Sequence, residues 1–177
     1  SGYLTIKDYN PQTRFYTLAY PNEEVRNGFL ECLLPSYVYQ STETNTFYIV
    51  NFVQDMLRDD IESCLERTQA FFASIPNDLE NKTEKHYQTV FYLLFRLMGQ
   101  YIETEVKSAI GRADVVMKTA TTIYVFEFKL DGTAEEALAQ IESKGYAIPY
   151  APDTRPVVKI GINFDTTTRT LGAWKIQ

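Results

Sequence analysis

The sequence predicts a mixed α/β protein in which a central sheet is flanked by helices and preceded by a β-hairpin and a helical lobe. Three observations predict it. From Glu80 onward the hydrophobic pattern runs helix, three strands, helix, two strands, a succession that builds a sheet covered by helices. Tyr124, Phe126, Phe128 and Leu130 alternate with Val125, Glu127 and Lys129, the period-two pattern of a strand. Between Asn22 and Phe72, apolar residues recur at helical spacing.

The elements follow in order. Ser1-Gly2 reads as a tag remnant and the chain as a fragment of a longer polypeptide. Tyr3–Ile6 and Arg14–Leu18 flank the turn formers Asp8-Tyr9-Asn10-Pro11, which predicts a hairpin. Asn22 caps a helix with Glu23 and Glu24 in its first turn and Val25, Phe29, Cys32 and Leu33 at helical spacing. Two more helices are expected around Phe47–Leu57 and Ile61–Phe72, and Pro76-Asn77-Asp78 closes the lobe. Thr83 then caps a helix that is apolar almost all round, from Tyr87 to Met98, and belongs in the centre of the protein. Gly99 stops it. Strands are expected over Tyr101–Lys107, Ala113–Lys118 and Thr122–Leu130. Thr133 and Glu136 then form a capping box for a helix running to about Lys144. Val157–Phe164 and Thr170–Ile176 are the closing strands. The expected division is a hairpin and helical lobe at 1–79 and an α/β domain at 80–177.

Composition bounds the function. Of 177 residues, 45% are hydrophobic and 23% charged, which fits a folded core and not a disordered chain. No apolar run reaches the ~18 residues of a membrane-spanning helix, so no membrane partner is expected. The single His excludes His-rich zinc sites and paired-His catalysis, and no phosphate-binding G-x-x-x-x-G-K-[ST] loop is present. Cys32 and Cys64 are expected as reduced, buried thiols, which points to the cytoplasm. The net charge of −6 lies wholly in residues 1–79, with 11 acidic against 5 basic residues; residues 80–177 carry 12 of each. The acidic half is a poor surface for non-specific nucleic-acid binding, whereas the balanced half can still gather its cations on one face.

Chemistry concentrates in the third strand of the second half. There Glu127 and Lys129 project from the face opposite the aromatic set. Asp114, on the preceding strand, would lie near Glu127 if the two strands pair across the short Thr119-Ala120-Thr121 turn, although sequence does not fix the register. Two convergent carboxylates make a hard oxygen site suited to Mg²⁺ or Mn²⁺. Such an ion polarises a phosphodiester and lowers the pKa of water, while a neighbouring Lys orients that water or steadies growing negative charge.

Asp114 followed by Glu127-Phe128-Lys129 on consecutive strands resembles the PD-(D/E)XK nuclease superfamily, which has a restriction-endonuclease-like core. Gly111-Arg112-Ala113-Asp114, Tyr124–Leu130, Ala137-Leu138-Ala139-Gln140-Ile141 and Lys144-Gly145-Tyr146-Ala147 resemble one bacterial family that joins an AAA-ATPase-like front half to a nuclease-like tail. The nuclease resemblance covers Glu80–Gln177. Tyr3–Leu79, with Tyr20-Pro21-Asn22-Glu23-Glu24-Val25-Arg26, resembles the stretch joining the two parts. The resemblance implies Asp114 and Glu127 as metal ligands, Lys129 as the catalytic lysine and Gln140 as a polar helper. It also implies Glu84 as a further acid aimed at the metal, and Arg112 and Lys144 as nucleic-acid contacts. Ala113 stands where the motif carries Pro.

Plainer readings sit beside these. An E-x-K triplet arises by chance in many strands. Arg112 could be a surface ion-pair partner, Gln140 a packing contact, and Glu84 a solvated first-turn acid favoured by the helix dipole. His86 reads as a spectator. Two functions therefore stand: a Mg²⁺- or Mn²⁺-dependent nuclease acting on DNA in preference to RNA, with a homodimer as the form that could cut both strands, or a catalytically silent nuclease-fold module serving an ATPase-like domain.

Overall fold

The structure is a computed structural model of the 177-residue chain; it describes residues 2–76, 84–106 and 114–177, without the side chains of residues 84, 85, 88, 105 and 106. Strands β1 (Thr5–Asn10) and β2 (Phe15–Ala19) pair antiparallel as the expected hairpin. The turn falls later than expected. Asp8, Tyr9 and Asn10 pair with Thr17, Tyr16 and Phe15, and Asn10 Oδ1 accepts from the N–H groups of Gln12 (3.0 Å) and Thr13 (3.1 Å). Asn10 thus closes the turn from its first position, and the residues before it stay in the strand. Ile6, Leu18, Tyr9 and Tyr16 share one face of this ribbon, and all four are exposed. Tyr3 and Tyr20 place their rings 5.1 and 5.7 Å from that of Phe29 and so tie the hairpin to the helix that follows.

Helices α1 (Glu23–Val38), α2 (Thr42–Leu57) and α3 (Ile61–Ala73) make the lobe, and each begins at a side-chain cap: Asn22, Ser41 and Asp60. In α1 the buried residues are Leu30, Leu34 and Val38, one helical stripe. Cys32 lies two residues from that stripe on either side and is exposed, which corrects the expectation of two buried thiols. Cys64 is buried, and both cysteines are free. Helix α4 (Glu84–Met98) is the central helix the sequence predicts: Tyr87, Val90, Leu93, Leu94, Phe95, Leu97 and Met98 are all buried, against α1, α2 and the first strand of the main sheet. Its expected cap, Thr83, lies outside the described residues.

The main sheet contains β3 (Glu103–Val106), β4 (Val115–Lys118), β5 (Ile123–Leu130), β6 (Val157–Asp165) and β7 (Thr170–Ile176), side by side in chain order. All neighbours are antiparallel except β5 and β6, which run parallel. Parallel strands need a crossover, and α5 (Ala134–Lys144) with a short 3-10 turn (Ile148–Tyr150) supplies it. The predicted capping box is formed: Thr133 Oγ1 accepts from Glu136 N–H (3.1 Å), and Glu136 Oε2 accepts from Thr133 N–H (2.9 Å).

Two apolar cores cover the two faces of the sheet. One runs from Leu30 in α1 to Leu171 in β7 and takes in α4, Tyr124 and Phe126. The other lies under α5 and contains Val116, Ile123, Val125, Ile141 and Tyr146. The lobe is also bound to the sheet by polar contacts. Trp174 Nε1 donates to Glu62 Oε2 (2.8 Å), and Gln69 Nε2 donates to the Leu171 carbonyl (2.7 Å). Asp59 accepts from the hydroxyls of Thr121 (2.6 Å) and Tyr124 (2.7 Å). This mixed sheet flanked by helices, behind a hairpin and helical lobe, is the restriction-endonuclease-like architecture expected. Among the described residues no helix is long and apolar enough to cross a membrane.

Candidate active site

The site forms where β4 begins and β5 nears its end. The alternation read from the sequence holds: Tyr124 and Phe126 enter the core beneath α4, while Val125 turns to α5, and Glu127 and Lys129 follow on that second face. Val115 opposite Phe126 fixes the antiparallel register and carries Asp114 to the level of Glu127. Asp114 Oδ2 accepts from the Phe128 N–H at 2.9 Å, which pins the first carboxylate to the strand bearing the second.

Glu127 is 3% exposed, and its two oxygens have different fates. Oε1 accepts from Gln140 Nε2, whereas Oε2 is buried with no hydrogen-bond partner among the described residues. The Gln140 carbonyl in turn accepts from Lys129 Nζ. One amide thus spans the cation and the anion, and their charges set its orientation: the oxygen faces the ammonium and the nitrogen faces the carboxylate. Gln140 reaches them from α5, four residues past the capping-box Glu136 and thus one turn further along the same helix face.

Burial pushes the Glu127 carboxyl up to about 7; the neighbouring Asp114 charge adds to the rise and Lys129 opposes it. Burial also raises Asp114, against the Phe128 N–H and the Lys129 ammonium. Both shifts favour the protonated carboxyls and mark a buried acidic pair. Two converging carboxylates and one orphaned, buried oxygen are a donor set that fits a hard divalent cation. Among the described residues no group of three or more His, Cys, Asp or Glu is assembled; Mg²⁺ characteristically keeps several waters beside one or two carboxylates.

The other residues singled out from sequence divide cleanly. Glu84 opens α4, but its side chain is not described, and Arg112 lies outside the described residues. Lys144 is exposed in the last turn of α5. His86 places its ring 5.6 Å from that of Tyr37, within the helical lobe. Glu103 is paired with Lys118 at 2.6 Å. Burial pushes the Cys64 thiol up to about 12, which leaves it inert as a nucleophile. Tyr146, part of the Lys144-Gly145-Tyr146-Ala147 segment, is buried, and its hydroxyl lies 3.4 Å from Gln140 Nε2. Its signal was the preceding Gly145, whose φ of 64° ends α5 and folds the chain back under the helix.

A family model of the PD-(D/E)XK nuclease superfamily matches residues 82–174, the span that holds this site. The chain belongs to that superfamily. Nucleases of the superfamily generally use divalent metal ions, in keeping with the carboxylate pair. The chain is also 31% identical, over its whole length, to an uncharacterized protein encoded in the vnfD 5′ region of Azotobacter chroococcum mcd 1. It spans 36% of that relative's length. No solved structure matches it.

Proposed function

We propose that this chain is a nuclease that hydrolyses phosphodiester bonds with a divalent metal ion, Mg²⁺ or Mn²⁺, and that its substrate is DNA in preference to RNA. The observation that carries this reading is the convergence of Asp114 and Glu127 across β4 and β5, with Lys129 on the same face and Glu127 Oε2 unsatisfied.

Asp114 and Glu127 would hold the ion, with Glu84 as a further ligand from α4. A bound divalent ion supplies Lewis-acid polarisation of the phosphate and a lowered pKa for the attacking water. Lys129 is the catalytic lysine: its ammonium orients the attacking oxygen and offsets negative charge growing on the phosphate oxygens as one P–O bond forms and the other breaks. Gln140 keeps that ammonium beside Glu127. Arg112 and Lys144 would meet the phosphate backbone, where each cation replaces counterions and makes affinity salt-dependent.

In this reading residues 80–177 are the nuclease part, and residues 1–79 join it to an AAA-ATPase-like part of the same cytoplasmic polypeptide. A homodimer would allow both strands of a duplex to be cut. The test is a panel of labelled single- and double-stranded DNA and RNA with Mg²⁺ or Mn²⁺. Cutting that disappears in both Asp114→Ala and Lys129→Ala supports the reading; cutting that survives in both defeats it.

A second reading keeps the fold without catalysis, as a module reporting to the ATPase-like part. It draws on the acidic residues 1–79 and on the exposed apolar hairpin face, where Ile6 is 60% and Leu18 54% exposed, a surface suited to a protein partner. Failure to bind Mg²⁺ or Mn²⁺ at millimolar concentration, in the longer polypeptide as well, would favour it.

A further inference from the structure

Lys129 and Glu127 are held together by one flexible side chain, so what holds Gln140 matters. A glutamine has three rotatable bonds and would lose much of its positioning value if its amide could swing. Two of its polar contacts are the site residues themselves, Lys129 to the oxygen and Glu127 to the nitrogen. The remaining N–H points to the Tyr146 hydroxyl, 3.4 Å away. That ring cannot drift. Tyr146 is 8% exposed and packs with Val116, Val125 and Ile141 under α5. The turn delivering it is equally fixed: Gly145 is left-handed, a Cβ there would lie 2.5 Å from Ile148 Cδ1, and the Tyr146 N–H donates to the Ile141 carbonyl at 3.1 Å.

We propose that Tyr146 is a positioning residue for the site: its hydroxyl accepts from Gln140 and thereby fixes the amide that holds Lys129 against Glu127. The inference rests on the nuclease reading only for its kinetic consequence. The contact is long, so its effect is a few-fold and not a switch. Its effect reaches the site through Gln140.

The experiment has one arm that needs no activity. In metal-free, ¹⁵N-labelled protein the Gln140 side-chain amide pair is assigned by its loss in Gln140→Ala. Tyr146→Phe, which keeps the ring, should shift that pair and speed its exchange with water while the melting temperature holds. In the nuclease assay Tyr146→Phe should lower kcat about threefold to tenfold with KM unchanged. In a Gln140→Ala background the same change should do nothing further. A Gln140 amide unmoved by Tyr146→Phe, or an equal kinetic loss in both backgrounds, overturns the proposal. If the wild-type protein cuts no nucleic acid, the nuclease reading fails, and the amide measurement still decides the role of Tyr146.

Discussion

Gly161 lies beside Glu127 across the parallel pairing of β5 and β6, and the α5 backbone fills the space a side chain there would need. A Cβ at 161 would sit 2.2 Å from the Ala134 carbonyl oxygen and 2.8 Å from the Leu138 backbone nitrogen, both in α5. Backbone cannot yield as a side-chain tip can, so the helix that carries Gln140 can approach Glu127 only because β6 has no side chain there.

Gly161→Ala should therefore lift α5 away from the sheet. The expected cost is about 1–3 kcal/mol of stability, in the range of overpacked cores. Urea denaturation measures it, and an unchanged midpoint would show that α5 is not seated as described.

The raised carboxyls make the metal-free protein lose stability as pH rises. Below about 4.5 Glu127 is protonated whether folded or unfolded. Between there and about 7 the unfolded side chain ionises while the buried one keeps its proton, so the folded state loses ground; above about 7 the loss is complete. For Glu127 alone the span corresponds to about 3 kcal/mol, and the rise at Asp114 adds in the same direction. Denaturation curves at pH 5 and pH 8 should show the decline, and Glu127→Gln should flatten it.

Metal binding should run the other way. Ligating carboxylates must be deprotonated, so Mn²⁺ affinity should increase as pH climbs through 7, and binding at pH 6 should release protons. Calorimetry in two buffers of different ionisation enthalpy reads the proton count. Asp114→Asn should remove binding; retention of full affinity in that variant would place the ion elsewhere.

Asp59 is a corner of the lobe and not of the site, yet it holds the far end of the β4–β5 hairpin. Its carboxylate accepts from Thr121 and Tyr124, and its backbone is left-handed at φ 56°. Those hydroxyls hold its pKa below the usual carboxylate range. Asp59→Ala loses these contacts, and that from Thr119 Oγ1 as well, and strains the turn, with an expected cost of about 1–3 kcal/mol by thermal melting. Asp59→Asn keeps an acceptor and a residue tolerant of that backbone, and should cost less.

The β1–β2 hairpin should exchange its amides fastest of the strands. Two strands with an exposed apolar face hold together poorly without a covering layer, whereas β5 and β6 are paired on both edges and covered on both faces. Hydrogen exchange followed by mass spectrometry should show weak protection at residues 5–19 and strong protection at 123–130. Equal protection would mean that something covers the hairpin in solution.

What the sequence determined by itself depends on near neighbours in the chain. The Thr133–Glu136 box, the broad apolar face of α4 and the opposed faces of β5 are local, because caps and periodicities are set within a few residues. Glu127 and Lys129 share a strand face by the same period-two rule, whereas Asp114 stands on another strand and joins them only through pairing. Ambiguous local signals are settled by context: the hairpin turn falls where Asn10 satisfies it, and Cys32 lies outside the α1 stripe that the lobe buries. Only the tertiary structure decided that β4 and β5 pair in the register that sets Asp114 at the level of Glu127, that β6 runs parallel beside β5, and that Gly161 admits α5 closely enough for Gln140 and Tyr146 to reach the site. Those facts join residues far apart in the chain, and their energy comes from packing and strand pairing, which no short window of sequence contains.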